Sequence, residues 1–137
     1  MTINPLTVFV YGTLKPGYAN HNRYCRDRLL EIQAAQVQGA LFDLPLGYPG
    51  MAKGEQWVQG FILTLKEDGT TLSDLDALED YDPNNPNSLY TREITEVFSP
   101  TGNSLGQVWV YYMAIAHIQS MQGTPVLSGN WQGQLSA

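Results

Sequence analysis

Leu6-Thr7-Val8-Phe9-Val10-Tyr11, running without a break into Gly12-Thr13-Leu14-Lys15-Pro16-Gly17, is the stretch on which the fold turns. Six residues rich in β-branched and aromatic side chains read as a strand. Gly12 ends it, and the Pro-Gly pair at 16 and 17 makes the continuation a loop. A glycine directly after a buried strand lets the backbone turn with its N–H groups exposed. Such groups can form a concave anion site. A following helix adds its N-terminal dipole if it points the same way. An ordinary strand-ending turn is the other reading. The loop is not a P-loop, because it has no Gly-Lys-Ser/Thr and the spacing is wrong.

Outward from this stretch, Asn20 is a candidate cap for a helix over about His21–Gln33. In that helix Cys25, Leu29 and Ile32 fall at i, i+4 and i+7 and face the core. Ala35–Leu44 reads as a second strand, Pro45–Gly54 as an irregular loop and Gln56–Leu65 as a third strand. Glu67-Asp68-Gly69 is a turn. Thr71–Tyr81 reads as a short helix, capped by Thr71 or Ser73, with Pro83 forbidding extension. After the polar loop Asp82–Ser88, Leu89–Phe98 and Leu105–Ile115 read as two more strands. The tail from Gln119 looks irregular, with Trp131 placed to dock it. Strands dominate and helices are few. The expected class is α+β, a small mixed β-barrel flanked by a few short helices.

The chain has 137 residues, enough for one domain spanning 1–137 with a real core but not for two. Its 13 Gly and 8 Pro suit short strands joined by tight turns. Net charge is −6, from 7 Lys+Arg against 13 Asp+Glu. That balance argues against nucleic-acid binding and against a polybasic membrane surface. One cysteine, Cys25, excludes an intrachain disulfide and a Cys-rich zinc site. The two histidines, His21 and His117, are far apart in sequence, so no metal site is expected. No apolar run reaches the ~18 residues of a membrane span, and the start lacks the positive region of a signal peptide. The expectation is a cytoplasmic protein.

Glu79 stands out on geometry. Successive helical residues rotate by about 100°. With Leu72 at zero, Leu75 falls at about 300°, Leu78 at about 240° and Glu79 at about 340°. Glu79 thus lies between Leu72 and Leu75 on the apolar face, with Asp76 on the edge of that face. A carboxylate there is costly unless paired, hydrogen-bonded or used. Two readings stay open on the residues alone: half of an ion pair, for example with Arg92, or a functional group. Tyr90, Arg92 and Ile94 alternate onto one strand face, and if that face is the core, Arg92 needs a carboxylate. In Trp109-Val110-Tyr111-Tyr112, one tyrosine hydroxyl is a candidate for lining a pocket. Cys25 reads as a buried filler rather than a nucleophile.

Taken together, VFVYGTLKPGYAN (Val8–Asn20) with His21, and LDALEDY (Leu75–Tyr81) followed by Tyr90-Thr91-Arg92, resemble the gamma-glutamylcyclotransferase-like family, including gamma-glutamylamine cyclotransferases and bacterial relatives. The Tyr48-Pro49-Gly50 loop, the Trp109–Tyr111 strand and Ser128-Gly129-Asn130-Trp131 resemble bacterial members. The resemblance spans roughly the whole chain in the right order. It implies a small mixed barrel with a pocket at one mouth. It matches Tyr11, Gly12, Thr13 and Leu14 to the substrate-binding loop, and Glu79 to the general acid/base. Asp80 departs from the pattern, because the family commonly has Gly after the Glu. A carboxylate so near would raise the Glu79 pKa if the two came close.

The implied reaction closes the α-amine of a gamma-glutamyl compound onto its own γ-carbonyl, giving 5-oxoproline and a freed amine. Nucleophile and electrophile share one molecule, so no Ser-His-Asp or Cys-His set is needed, and none is evident. The chemistry requires no cofactor and no metal. Its partner is a small-molecule gamma-glutamyl substrate. The N–H groups of Gly12–Leu14 would hold the substrate α-carboxylate or the developing oxyanion. The alternative class is a non-catalytic small-carboxylate-binding or interaction protein of the same fold.

Overall fold

The computed structural model describes residues 5–132 except 46, 68, 83, 86 and 87. Strand β1 is Leu6–Val10, helix α1 Ala19–Tyr24 and β2 Leu29–Asp43, with a single 3-10 turn at Arg26–Arg28 before β2. Then come β3 Pro49–Leu65, α2 Thr71–Leu78, β4 Thr91–Phe98, β5 Ser104–Tyr112, α3 Ile115–Ser120 and β6 Thr124–Pro125. The class is α+β, as expected. The sheet order is β3-β1-β5-β4-β2-β6 and β3 also pairs with β2, so the pairings return on themselves as in a barrel. The seam between β2 and β4 is narrow, a single pair Gln36↔Phe98. β1 runs antiparallel to β3, from Leu6↔Leu65 to Val10↔Phe61, and parallel to β5 at Val8↔Trp109.

β1 is buried on both faces, which is why its sequence is a continuous apolar run and not an alternation. Val8 and Val10 pack in one cluster with Leu14, Cys25, Leu63 and Leu75. Phe9 and Tyr11 pack in another with Val37, Val58, Val108 and Val110. The strand is thereby fixed between sheet interior and helices, and its exit at Tyr11-Gly12 is fixed with it.

Several expected boundaries shift. The helix expected over His21–Gln33 ends at Tyr24, and Leu29 already begins β2. Pairing with β3, as in Leu29↔Leu65 and Ile32↔Leu63, wins over the helical spacing of Cys25, Leu29 and Ile32. Cys25 is fully buried, but Ile32 is 41% exposed. Part of the loop expected over Pro45–Gly54 is strand. Pro49 opens β3, where a proline costs no ladder bond, and Pro49–Ala52 pair back onto Ala40–Asp43. The tail is partly ordered by α3 and by β6 pairing with Phe42 and Asp43. Trp131 docks the segment that follows β6: its side chain is 2% exposed and its indole N–H donates to Asp43 at 2.8 Å.

The helix expected over Thr71–Tyr81 stops at Leu78. Neither Thr71 nor Ser73 is its cap, because Thr70 occupies that position without a side-chain cap bond. The Glu67 carboxylate accepts from the N–H groups of Gly69, Thr71 and Leu72 at 2.9, 3.1 and 3.0 Å. At the other end Glu79 is the C-cap, and Asp80 adopts φ 52°, the left-handed conformation that closes many helices. The roles expected of residues 68 and 83 lie outside the described residues.

Candidate active site

At one mouth of the sheet lies a cavity of about 270 Å³. Tyr11, Gly12, Thr13, Leu14 and Glu79 all line it, together with Asn20, Tyr48, Pro49, Tyr90 and Tyr111. The sequence therefore singled out five residues from elements far apart in the chain that the fold brings to one place.

The loop wall is built from β1 outward. Gly12 accepts the Lys15 N–H at 3.0 Å, closing a turn. Among the described residues, the N–H groups of Gly12, Thr13 and Leu14 donate to no protein acceptor. The first residues of α1 hold the loop from behind. Asn20 donates to Thr13 Oγ1 at 2.9 Å, and His21 donates from Nδ1 to the Leu14 carbonyl at 2.9 Å. His21, for which the sequence suggested no role, is thus a brace for the loop. A side chain at Gly12 has no room, since a Cβ there would sit 2.7 Å from Pro49 Cγ and 2.8 Å from Cδ. That close approach is what requires glycine at this position.

The opposite wall is the end of α2. Glu79 is half-buried and opens onto the cavity. Burial pushes its carboxyl up from the ordinary 4.5 to about 7. The neighbouring Asp80 carboxylate is not the cause. Asp80 is exposed beyond the left-handed turn. Arg92 does not pair with Glu79 either. Its Nε donates to Asp76 Oδ1 at 2.8 Å, so Arg92 has a carboxylate partner although Ile94 on the same strand face is 49% exposed and that face is not uniformly core. Among the described residues no hydrogen bond or ion pair engages the Glu79 carboxylate, and no other charged side chain lines the cavity.

Three tyrosines surround Glu79. The Tyr11 hydroxyl donates to the Tyr111 carbonyl at 2.7 Å, Tyr90 to the Pro49 carbonyl at 2.5 Å, and Tyr111 to Asp76 at 2.7 Å. Burial first, and the Glu79 charge among the further causes, raise all three phenols above their ordinary value. They stay protonated, and with each proton committed to the protein they retain only acceptor capacity for a ligand. Cys25 takes no part. Burial raises its thiol to about 11, in keeping with a filler.

The model of the family described as gamma-glutamyl cyclotransferase, AIG2-like matches residues 8–133. The chain belongs to that family. It is 36% identical over 105 residues to the gamma-L-glutamyl-butirosin B gamma-glutamyl cyclotransferase of Niallia circulans, a match covering 76% of this chain and 65% of that protein. The chain thus spans under two thirds of that relative's length. It is 34% identical over 125 residues to a Vibrio cholerae serotype O1 protein that bears a provisional gamma-glutamylcyclotransferase name, covering 90% of this chain and 93% of the other. The crystal structure of YkqA from Bacillus subtilis shares the fold, with a TM-score of 0.67 and 21% identity over 93% of this chain and 40% of that one.

Within this family fold, the sequence reading passed over Asn20, Tyr48 and Pro49 as lining residues and Asp76 as the partner behind Tyr111, and left Tyr90 and Tyr111 undecided. Asp76 was the most findable, since it precedes Glu79 by three residues and shares its helix face. Pro49 carried no local signal. Its place against Gly12 arises from hairpin register.

Proposed function

We propose that the chain catalyses intramolecular cyclisation of a gamma-glutamyl compound to 5-oxoproline with release of the amine, Glu79 serving as general acid/base. The observation that carries this reading is a carboxyl poised near neutrality by burial, without an ion partner among the described residues, across a small cavity from a loop of unused N–H groups. A purely structural Glu79 would have its charge paired.

The substrate enters with its α-amine mostly as ammonium at neutral pH. Glu79 takes a proton from it. The freed nitrogen attacks the γ-carbonyl carbon. Glu79, its first proton released to solvent, takes the second from the attacking nitrogen of the tetrahedral intermediate and gives it to the leaving amine as the C–N bond breaks, leaving the lactam N–H. One group serves both steps best with a pKa near the working pH. The tyrosine oxygens, limited to accepting, suit an ammonium donor. The Gly12–Leu14 N–H groups suit the negative end, the α-carboxylate or the oxyanion, which no cationic side chain among the described lining residues would otherwise meet. Holding both ends folds the substrate so that nitrogen and carbonyl carbon meet.

The test is 5-oxoproline release from a panel of gamma-glutamyl amino acids and gamma-glutamyl amines, including the isopeptide to lysine. Release from at least one compound is expected, and the amine it carries defines the leaving group. Binding without turnover would assign the chain to non-catalytic carboxylate binders. No response to any compound would sink the ligand reading altogether.

A further inference from the structure

Helix α2 is fastened to the rest of the molecule through three consecutive residues. Asp74 takes the Arg28 guanidinium at 2.6 Å, Leu75 is fully buried, and Asp76 takes both Arg92 and the Tyr111 hydroxyl on one oxygen. The Arg92 guanidinium is itself confined, 4.3 Å from the Trp109 ring centre and 5.3 Å from that of Tyr81. Asp76 is 8% exposed and lies about one helical turn before Glu79. A second buried carboxylate thus stands beside the first, with its charge cancelled by an arginine from another element.

We propose that Asp76 and Arg92 are positioning residues for the Glu79 reaction: as a neutralised pair they direct the Tyr111 hydroxyl proton away from Glu79 and keep a second negative charge from acting on it. This rests on the proposed role of Glu79. The groups that face Glu79 come from every element around it. Tyr11 arrives from the end of β1, Tyr48 from the β2–β3 connection, Tyr90 from the approach to β4 and Tyr111 from β5. On its own helix are Asp76, paired, and beyond the turn Asp80, exposed. Behind the lining, Asp76 and Arg92 form the charged pair bonded to the lining residue Tyr111, and they compensate each other.

Opposite shifts follow from removing either member. Arg92→Met leaves the Asp76 anion uncompensated, which holds the proton on Glu79 more tightly and raises its midpoint. Asp76→Asn keeps an acceptor for Tyr111 but leaves the Arg92 cation alone, which lowers the midpoint. A charge within about 4–6 Å shifts a carboxyl by about 1–3 pH units, and that is the upper bound expected here. Joining the two substitutions should bring the midpoint back near that of the parent.

The test is a pH titration of ¹³C-carboxyl-labelled glutamate in the full chain, with the Glu79 signal assigned by its loss in Glu79→Gln. Arg92→Met is expected to move the midpoint up, Asp76→Asn down by a similar amount, and the double variant to restore it. Loosened packing alone would move both single variants in one direction or neither, and either result overturns the proposal. Should Arg92→Met fail to fold, Arg92→Lys and Asp76→Asn decide. The first should stay near the parent and the second should fall, and a parent-like Asp76→Asn overturns the proposal. The titration needs no turnover, so an inactive parent would refute the proposed reaction while leaving the charge coupling to be judged on its own. With an active parent, the acid limb of kcat/KM must follow the titrated midpoints, with kcat changing more than KM.

Discussion

The two walls of the cavity are held in opposite ways. The loop wall at Gly12–Leu14 is fixed by uncharged contacts: Asn20 on Thr13, His21 on the Leu14 carbonyl and the Pro49 ring against Gly12. The helix wall is fixed by charge, Arg28 on Asp74 and Arg92 on Asp76. Yet the last residue of that helix wall, Glu79, has no charged partner among the described residues. Ion pairs fasten α2 behind the site and stay out of the surface a ligand would occupy. The proton affinity of Glu79 is then governed by burial, and the negative end of a ligand is left to backbone N–H groups.

The largest effect expected from breaking this arrangement is on turnover. Glu79→Gln keeps the shape and removes the proton shuttle, so 5-oxoproline release should fall by about 10²–10⁴-fold. Substrate binding, measured by calorimetry, should persist because the loop wall is untouched. Near-normal turnover by a folded variant would remove Glu79 from the mechanism.

Next is the loop. Gly12→Val drives a side chain into Pro49, whose carbonyl anchors Tyr90. Overpacking of this kind costs about 1–3 kcal/mol, which corresponds to roughly a tenfold to hundredfold loss of ligand affinity if the loop yields. Unchanged affinity would mean that the loop is only a turn.

A smaller effect concerns stability. Glu79 binds its proton more tightly when folded than when unfolded, so its ionisation destabilises the fold as pH rises from about 4.5 through about 7. Glu79→Gln abolishes that loss. Its stability relative to the parent should therefore be lower at pH 4 than at pH 8, the difference amounting to about 3 kcal/mol at most. Denaturant titrations at the two pH values measure it. A Glu79 held by an ion pair would give the opposite sign.

The smallest effect is at Asp80, whose left-handed backbone costs about 1 kcal/mol that glycine would not incur. Asp80→Gly should raise the melting temperature by a few degrees and leave turnover alone. A fall in turnover would show that the exposed Asp80 carboxylate does act on Glu79.

The parts legible in the sequence were those with local causes. The apolar run of β1, its stop at Gly12 and the turning of Glu79, the residue that caps α2, toward the interior side of that helix need only nearby residues. The first half of β2 was misread because Cys25, Leu29 and Ile32 fit a helix locally, and only pairing with β3 makes that segment a strand. Arg92 was expected to need a carboxylate only if its strand face were core, and with Glu79 and Asp76 about one helical turn apart the partner depends on how α2 sits on β4 and β5. Pro49 belongs to the site through hairpin register alone, which no single stretch reveals. The left-handed turn at Asp80 was not foreseen, because the residue suggested only a charge effect on Glu79.

The most direct measurement of Glu79 as both base and acid is the pH dependence of kcat/KM for 5-oxoproline release. The rate should fall about tenfold per pH unit below a midpoint of about 7, because the protonated carboxyl cannot take the ammonium proton. A limb near the ordinary 4.5, or no dependence between about pH 5 and 8, would contradict a carboxylate tuned by burial to work at neutrality.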